Sequence, residues 1–445
     1  MHKQEAITST KIIANCLRVL TQDIGVRLAG SDGERKAAGY AAEQFERFGA
    51  RVNLEEFPVR ERHVERFDLR IRLGAKWVRF PGSPMSSTPG TEGRAVTAPL
   101  VFLETPAEAR RKDLSHLTGK AVVHLGAHIE SREYYRRLMA ARPALLLIVD
   151  VRYPGDTPRA DGMFPAYTSA IGAVPAVNVA FMDAWRWKVE GASAARLTIK
   201  GGMRPGISQN VVADLPGTDP EAGLLLLGAH HDTQADSVGA DDNAVGVACL
   251  LALTRQLAPV RRRRGIRLIS FGAEEQLSVG SAEYVRRHRA ELRQRARLMF
   301  NLDACGSVMG WTELVVNGPR ELTDFVVARF EQAGHYVKPT NDILPYSDHF
   351  PFAAAGIPSI FLGRVNCTAG RFFHHRADDD LSRVSVPLLA AFTGIVGSLM
   401  TKLANARRLP FPCRIPAEQT AGVRKFWEDL YGGWQRSRSE VARRP

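Results

Sequence analysis

Histidine and acidic side chains recur in the second half of the sequence, each after a strand-like run or in the loop that follows one. The residues concerned are His230, Asp232, the pair Asp241 and Asp242, the pair Glu274 and Glu275, Asp303, and the pair His374 and His375. In open α/β sheets, sites are built at the carboxyl ends of the strands. Imidazole and carboxylate together suit zinc or a similar divalent ion. The sequence therefore predicts a metal site at one edge of a sheet.

This mixture of ligands predicts chemistry that uses two ions. Two imidazoles and three carboxylates can hold two divalent ions about 3.5–4 Å apart when one carboxylate bridges them. A water bridging the ions is acidified towards hydroxide and attacks a carbonyl group that one ion polarises. The water also needs a base that is not a ligand. Glu274 and Glu275 suit this division because neighbours at a strand end point in different directions. Asp232 is placed to orient the His230 imidazole.

Apolar runs of strand length precede several of these residues. Residues 224–229, 267–271 and 298–302 form such runs, and residues 244–257 have the composition of a helix. From residue 210 to about 403, strands and helices alternate, which is typical of a sheet covered by helices on both faces. The predicted fold class is α/β, with a mixed, mostly parallel sheet sandwiched by helices and a β-rich inserted second domain.

The order of the motifs resembles that of the co-catalytic zinc aminopeptidases. It runs His-x-Asp, Gly-Ala-x-Asp-Asn, Glu-Glu, Leu-Asp, Ser-Asp-His and a late His-x-x-x-Asp, and the resemblance spans roughly residues 10–60 and 205–400. The same metallopeptidase superfamily includes glutamate carboxypeptidase, the transferrin receptor and glutaminyl cyclase. The resemblance implies the zinc exopeptidase fold and two zinc ions per chain, or another divalent metal in their place.

Carried over by position, the resemblance implies a role for each candidate residue. His230 and Asp303 would bind one zinc. Glu275 and His375 would bind the other, and Asp242 would bridge both. Glu274 would be the general base, and Asp232 would support His230.

The resemblance also decides between adjacent candidates. Asp242 is selected because the bridging ligand stands directly before Asn243. His375 is selected because Asp379 follows it by four residues. The unselected neighbours, Asp241 and His374, are left with surface or supporting roles. A cis peptide bond between Asp242 and Asn243 is a further implication.

The predicted function is that of a zinc-dependent exopeptidase, in particular an aminopeptidase that hydrolyses the N-terminal residue of peptides. A carboxypeptidase and a glutaminyl-cyclase-like acyltransferase on the same fold are the alternatives among enzymes. A non-catalytic binding protein is the alternative from another class. The complete set of ligands together with Glu274 argues against a non-catalytic protein, because a binding module needs neither the metal ligands nor a general base.

The segment around residue 347 resembles the family's Ser-Asp-His block, which lines the substrate pocket. In a functional interpretation, Tyr346, Asp348 or His349 would position the substrate or stabilise an oxyanion. In a structural interpretation, hydrogen bonds of Asp348 and His349 fix the loop. The residues alone do not separate these two interpretations.

Composition and charge are those of an ordinary globular protein. The chain has 445 residues and a formal net charge of +13, yet its basic runs, such as 261–264, lack aromatic interleaving. We therefore expect solvated arginines and no nucleic-acid partner. No apolar stretch is expected to be long enough for a membrane span, and five scattered cysteines favour a reducing compartment. The predicted location is cytoplasmic, the predicted partner is a peptide substrate, and the oligomeric state stays open.

The predicted organisation is a catalytic domain interrupted by an insert. Residues 1–63 form its first part, residues 204–403 its second part with the metal site, and residues 404–445 a C-terminal appendage. Residues 64–203 contain several strand-like runs and resemble a protease-associated domain. The histidines and acids of this insert show no ligand spacing.

Overall fold

A computed structural model describes residues 2–104, 111–126, 129, 131–367 and 371–434, and for residues 2–6 the backbone alone. The strands are β1 Arg51–Leu73, β2 Lys76–Phe80, β3 Ser83–Pro84, β4 Val96–Glu104, β5 Ala121–Gly126, β6 Leu145–Asp150, β7 Ala176–Asn178, β8 Ala194–Leu215, β9 Leu224–His230, β10 Gly265–Phe271, β11 Ala296–Leu302, β12 Trp311–Asn317, β13 Val337–Thr340 and β14 Ser359–Val365. The helices are α1 His2–Arg18, α2 Asp32–Arg47, α3 Arg132–Ala140, α4 Pro165–Ile171, α5 Phe181–Val189, α6 Val245–Leu257, α7 Val279–Arg287, α8 Arg289–Arg295, α9 Arg320–Gln332, α10 Phe350–Ala354, α11 Val386–Asn405 and α12 Ala417–Tyr431.

The chain folds into two compact units. The first comprises Met1–Val59 and Ile207–Trp434, and the second contains Arg60–Gly206. The segment predicted as a C-terminal appendage from residue 404 lies in the first unit as far as residue 434, because α12 buries Val423, Trp427 and Leu430. The basic residues beyond 434 are outside the described part of the chain.

The first unit contains a mixed sheet in the order β13-β12-β14-β11-β9-β10-β8. β9 lies between β10 and β11 and is parallel to both, whereas β12 and β8 pair antiparallel with β14 and β10. Alternate residues of β9 enter different cores: Leu225 and Leu227 pack with α1, α6 and α11, and Leu224 and Leu226 pack with α7 and α8. The prediction of a mostly parallel sheet sandwiched by helices is confirmed.

α11 corrects one expectation from the sequence. By length and composition it is the one helix of the described residues that could cross a membrane, so the expectation of no such apolar stretch was wrong. Half of its most apolar window is buried in the structure. Phe392, Val396 and Leu399 lie in the same core as β9, which is how a core helix behaves.

The second unit has its own sheet and core. β4, β5, β6 and β7 are parallel neighbours, with the first part of β8 and the short β3 antiparallel at the two edges. Val123, Leu147, Val177 and Trp187 are buried in its core. The runs predicted as strands are found here, and three helices, α3 to α5, accompany them.

The arginine run 261–264 also departs from expectation. Arg262 and Arg264 are buried rather than solvated. The Arg262 guanidinium donates to the carbonyls of Ala258 and Pro216 at 2.8 and 3.2 Å, and Arg264 donates to the carbonyl of Leu403. These arginines satisfy carbonyl groups at the ends of helices, which a charge count does not reveal.

Candidate metal centre

Three neighbouring parallel strands deliver three of the candidate side chains to one edge of the first unit's sheet. β9 ends at His230, β10 ends three residues before Glu274, and β11 ends directly before Asp303. The His230 Nε2 atom lies 3.7 Å from Asp303 Oδ1 and 3.8 Å from Glu274 Oε2. The strand register therefore brings together side chains that are far apart in the sequence.

The turn before α6 supplies Asp242. Its peptide bond to Asn243 is cis, as the resemblance implied. The Asp379 carboxylate accepts the amides of Asp241 and Asp242 at 2.9 and 3.0 Å. The Asn243 side chain donates to the Leu302 carbonyl and accepts the Gly246 amide. The turn is thus fixed from both sides, with Asp242 directed at the His230 imidazole.

Potential ligand atoms form two groups that share one residue. In the first, atoms of His230, Asp242 and Asp303 lie within 4.8 Å of one another, and in the second those of Asp242, His374 and His375 do. The His230 Nε2 atom is 3.2 Å from Asp242 Oδ1, and His374 Nε2 is 3.0 Å from Asp242 Oδ2. Asp242 therefore uses one oxygen toward each group.

Glu275 joins the second group through a histidine. Its Oε2 lies 2.9 Å from His375 Nε2, which is itself 3.6 Å from Asp242 Oδ2. All five ligands implied by the resemblance, His230, Asp242, Glu275, Asp303 and His375, are therefore brought into one cluster.

The chemistry of this cluster fits divalent cations. His230, Asp242, Asp303 and Glu274 are all buried, and concentrated carboxylates away from water need a compensating charge. The buried His230 Nε2 faces three carboxylates, those of Asp242, Asp303 and Glu274. Imidazole nitrogen and carboxylate oxygen are a zinc donor set.

Asp232 does more than orient an imidazole. Its backbone carbonyl oxygen lies 3.3 Å and its Oδ1 3.5 Å from His230 Nδ1. In addition, its two carboxylate oxygens accept the amides of Glu274 and Glu275 at 2.9 and 3.1 Å. One carboxylate thus fixes a ligand on β9 and the start of the segment after β10.

Glu274 is held at the cluster without belonging to either ligand group. Its Oε1 accepts the Ser278 hydroxyl at 3.0 Å. Burial raises the pKa of its carboxyl well above the usual range, and the charges of Asp348 and Asp303 act in the same direction against His230. A carboxylate with a raised pKa is a strong proton acceptor.

The sequence of the chain is similar to those of known peptidases. Residues 210–400 match the model of peptidase family M28. The candidate residues from His230 to Asp379 all lie within this match. The chain is 24% identical to aminopeptidase YwaD of Bacillus subtilis over 92% of this chain and 88% of that protein. It is also 24% identical to human carboxypeptidase Q, over 64% of this chain and 62% of that one.

A solved structure shows the same fold. The M28 peptidase precursor of Shewanella amazonensis superimposes with a TM-score of 0.77, covering 93% of this chain and 98% of that chain at 19% identity. At this level of identity the likeness concerns the fold, and the chemistry of the candidate metal centre follows from its own residues.

The Ser-Asp-His block lies against the cluster. The Ser347 hydroxyl donates to Asp303 Oδ2 at 2.7 Å and accepts the Asn301 amide at 2.9 Å. Asp348 and His349 are fully buried, and His349 lies against the Phe361 ring, whereas Tyr346 is half-buried. The side-chain oxygen and nitrogen atoms of Asp348 and His349 have no hydrogen-bond partner among the described residues, so the hydrogen bonds of the loop-fixing interpretation are not observed. The half-buried Tyr346 is the member of this block that solvent reaches.

Arg371 and His374 were missed as members of the candidate metal centre. The Arg371 guanidinium lies 3.2 Å from Asp242 Oδ2 and 3.5 Å from Asp303 Oδ1. His374, left with a supporting role by the sequence pattern, is nearer to Asp242 than the selected His375. The adjacent histidines were a signal for His374, whereas one arginine in an arginine-rich chain carries no signal.

The N-terminal segment fixes the loops of the centre. The fully buried Arg27 donates to the carbonyls of His231 and Val238, each at 2.7 Å. Glu34 accepts the amides of Gly30 and Ala273 at 2.6 and 2.9 Å. Both residues lie in the first range of the family resemblance, residues 10–60, and these contacts give that range a structural role.

Proposed function

We propose that this protein is a zinc-dependent exopeptidase, and in particular an aminopeptidase that removes N-terminal residues from peptides. The observation that carries the proposal is the position of Asp242 in both ligand groups, beside a buried glutamate that belongs to neither. The match to the model of family M28 and the similarity to an aminopeptidase over most of the chain support it.

The residues present define how two ions would be held. His230 and Asp303 would bind one zinc, Glu275 and His375 the other, and Asp242 both. His374 is within reach of the same Asp242 oxygen as His375. Such ions, when bound, polarise the scissile carbonyl and lower the pKa of the attacking water.

Glu274 would move the proton. It takes the proton from the attacking water and returns it to the departing amine, so that the peptide bond breaks with a neutral leaving group. Its Oε1 is engaged by Ser278, which leaves Oε2 facing His230 Nε2. The amides of Glu274 and Glu275 are fixed by Asp232, and this fixed backbone keeps base and ligand in separate directions.

An activity panel tests the proposal. The zinc-loaded protein is assayed on aminoacyl substrates, the same substrates with a blocked N-terminus, and peptides with N-terminal glutamine. We expect hydrolysis of free N-termini alone, loss with a chelator and recovery with zinc. Cyclisation of glutamine would favour the acyltransferase, and inactivity of the zinc-loaded protein on every substrate would favour a binding protein.

A carboxypeptidase is the second candidate because of one residue. Arg371 is 18% exposed and lies beside two carboxylates of the centre. A guanidinium is the natural partner of a terminal carboxylate. The similarity to carboxypeptidase Q points in the same direction. Cleavage of N-blocked peptides from their carboxyl end would decide for this candidate.

We also propose a protease-associated-like role for the second unit and a cytoplasmic location. Strand order and insertion within the catalytic chain support the former. All five cysteines are free, which supports a reducing compartment. Fractionation of cells that express the protein tests the location.

A further inference from the structure

A cavity lies in the first unit, and none of the residues of the metal centre lines it. It has a volume of about 250 Å³ and is bordered by α8, by α12 and by residues 353–356. Its wall includes Arg289, Arg293, Val423, Arg424, Trp427 and Trp434. We call it the α8–α12 cavity. This volume suits a small molecule.

Three uncompensated positive charges line the α8–α12 cavity. Arg289 and Arg293 are one turn apart on α8, and Arg424 comes from α12. Within the described part of the chain, none of the three forms an ion pair or donates a side-chain hydrogen bond. The acid on α8, Glu291, is engaged by Arg267 and Arg295 at 3.3 and 3.0 Å. A cavity with three such guanidinium groups favours an anion.

The aromatic wall holds one of these guanidinium groups in place. The Arg289 guanidinium lies over the Trp434 ring at 3.8 Å, and the Trp434 and Trp427 rings are 4.8 Å apart. Stacking on the ring face restricts the guanidinium while leaving its N–H edges available. Trp434, Val423 and Ala354 add apolar surface next to the charges.

The residues that follow Trp434 in the sequence carry a net positive charge. Residues 435–445 contain four arginines and one glutamate, so their net charge has the same sign as that of the cavity wall. A ligand from outside the chain is the complementary occupant.

We propose that the α8–α12 cavity is a binding site for a small organic anion, with two negative charges and an apolar part. A phosphate monoester and a dicarboxylate share this chemistry. The guanidinium groups would bind the oxygens of the anion, and the side of the cavity near Trp434 would contact its apolar part.

Calorimetric titration of the zinc-loaded full chain tests this site with two probes, phenyl phosphate and isophthalate. We expect saturable binding of at least one probe, weakened by added salt. The triple variant Arg289→Gln, Arg293→Gln, Arg424→Gln should weaken it at least tenfold. Arg255→Gln, at an exposed arginine of α6, is the matched control and should leave it unchanged.

The pattern of binding decides the outcome. Loss in the triple variant with unchanged zinc content supports the site, and the better probe identifies phosphate or carboxylate as the preferred anion. Absence of binding, or binding that the triple variant retains, as expected for an anion at the metal centre, overturns it. Should the triple variant not fold, the single change Arg424→Gln at an exposed position is used, with an expected weakening of about threefold.

Discussion

Asp242 is the residue at which the two halves of the candidate metal centre meet. Its oxygens point to His230 on one side and to His374 and His375 on the other. The Arg371 charge and hydrogen bonds from the histidines hold the pKa of its carboxyl well below the usual range, against the opposing effect of burial. An ionised carboxylate at this position is what a bridging ligand requires.

At the residue scale, substitutions of Glu274 and Glu275 should have different effects, the first on turnover and the second on metal binding. Glu274→Gln keeps the Ser278 contact but loses the proton acceptor, so we expect turnover to fall by about 10²–10⁴-fold. Its zinc content should stay close to that of the unmodified protein. Glu275→Gln is the matched control and should lower zinc content instead. The measurements are steady-state kinetics and metal analysis, and an exchanged pattern would reverse the two roles.

At the scale of elements, the N-terminal segment and the loop after β9 depend on Arg27. Besides His231 and Val238, its guanidinium donates to the carbonyls of Leu20, Gly25 and Gly239. Burial lowers the pKa of Arg27 to about 10, so the group stays charged at neutral pH. Removing it would leave several buried carbonyls without donors.

Arg27→Met should therefore destabilise the first unit by about 3–5 kcal/mol. Arg35→Met, at an exposed arginine of the neighbouring helix α2, is the control and should change stability by less than about 0.5 kcal/mol. Urea unfolding of the zinc-loaded protein measures both. Equal stability of the two variants would contradict the role of Arg27.

At the scale of elements, some features could be predicted from the sequence and others could not. The strands before His230, Glu274 and Asp303 were predictable because short apolar runs ended at polar residues. Arg371 and the contact of Ser347 with Asp303 were not predictable, because these contacts depend on how loops fold over the sheet edge. The buried Arg262 and the half-buried helix α11 were misjudged since charge and hydropathy describe composition, whereas burial depends on which carbonyls and side chains lie opposite.

At the scale of the whole molecule, the second unit should lose stability in acid. In the second unit His124 is buried, its Nε2 lies 3.1 Å from the Tyr134 hydroxyl, and burial lowers its pKa to about 4. The unfolded chain protonates a histidine near pH 6.5, so the folded unit binds fewer protons below that value. The stability that the neutral His124 contributes is fully present above pH 6.5 and is lost progressively as the pH falls towards 4.

Because of His124, we expect the free energy of unfolding of the second unit to fall by about 2 kcal/mol between pH 7 and pH 5. The variant His124→Phe should lose less stability over this pH range than the unmodified protein. The control His116→Phe, at an exposed position of the same unit, should lose as much as the unmodified protein. Urea unfolding monitored by hydrogen exchange of peptides from residues 121–150 reports on this unit alone. An unchanged pH dependence in His124→Phe would show that another group causes the loss.

The most direct test of the account is the zinc stoichiometry of two adjacent isosteric variants. We predict two zinc ions per chain in the unmodified protein and in Asp241→Asn, because Asp241 accepts the Gly306 amide and lies in neither ligand group. Asp242→Asn should lose both ions together, since both depend on this carboxylate. Metal analysis of the folded, zinc-equilibrated proteins gives the numbers. Retention of two ions in Asp242→Asn, or their loss in Asp241→Asn alone, would contradict a centre bridged by Asp242.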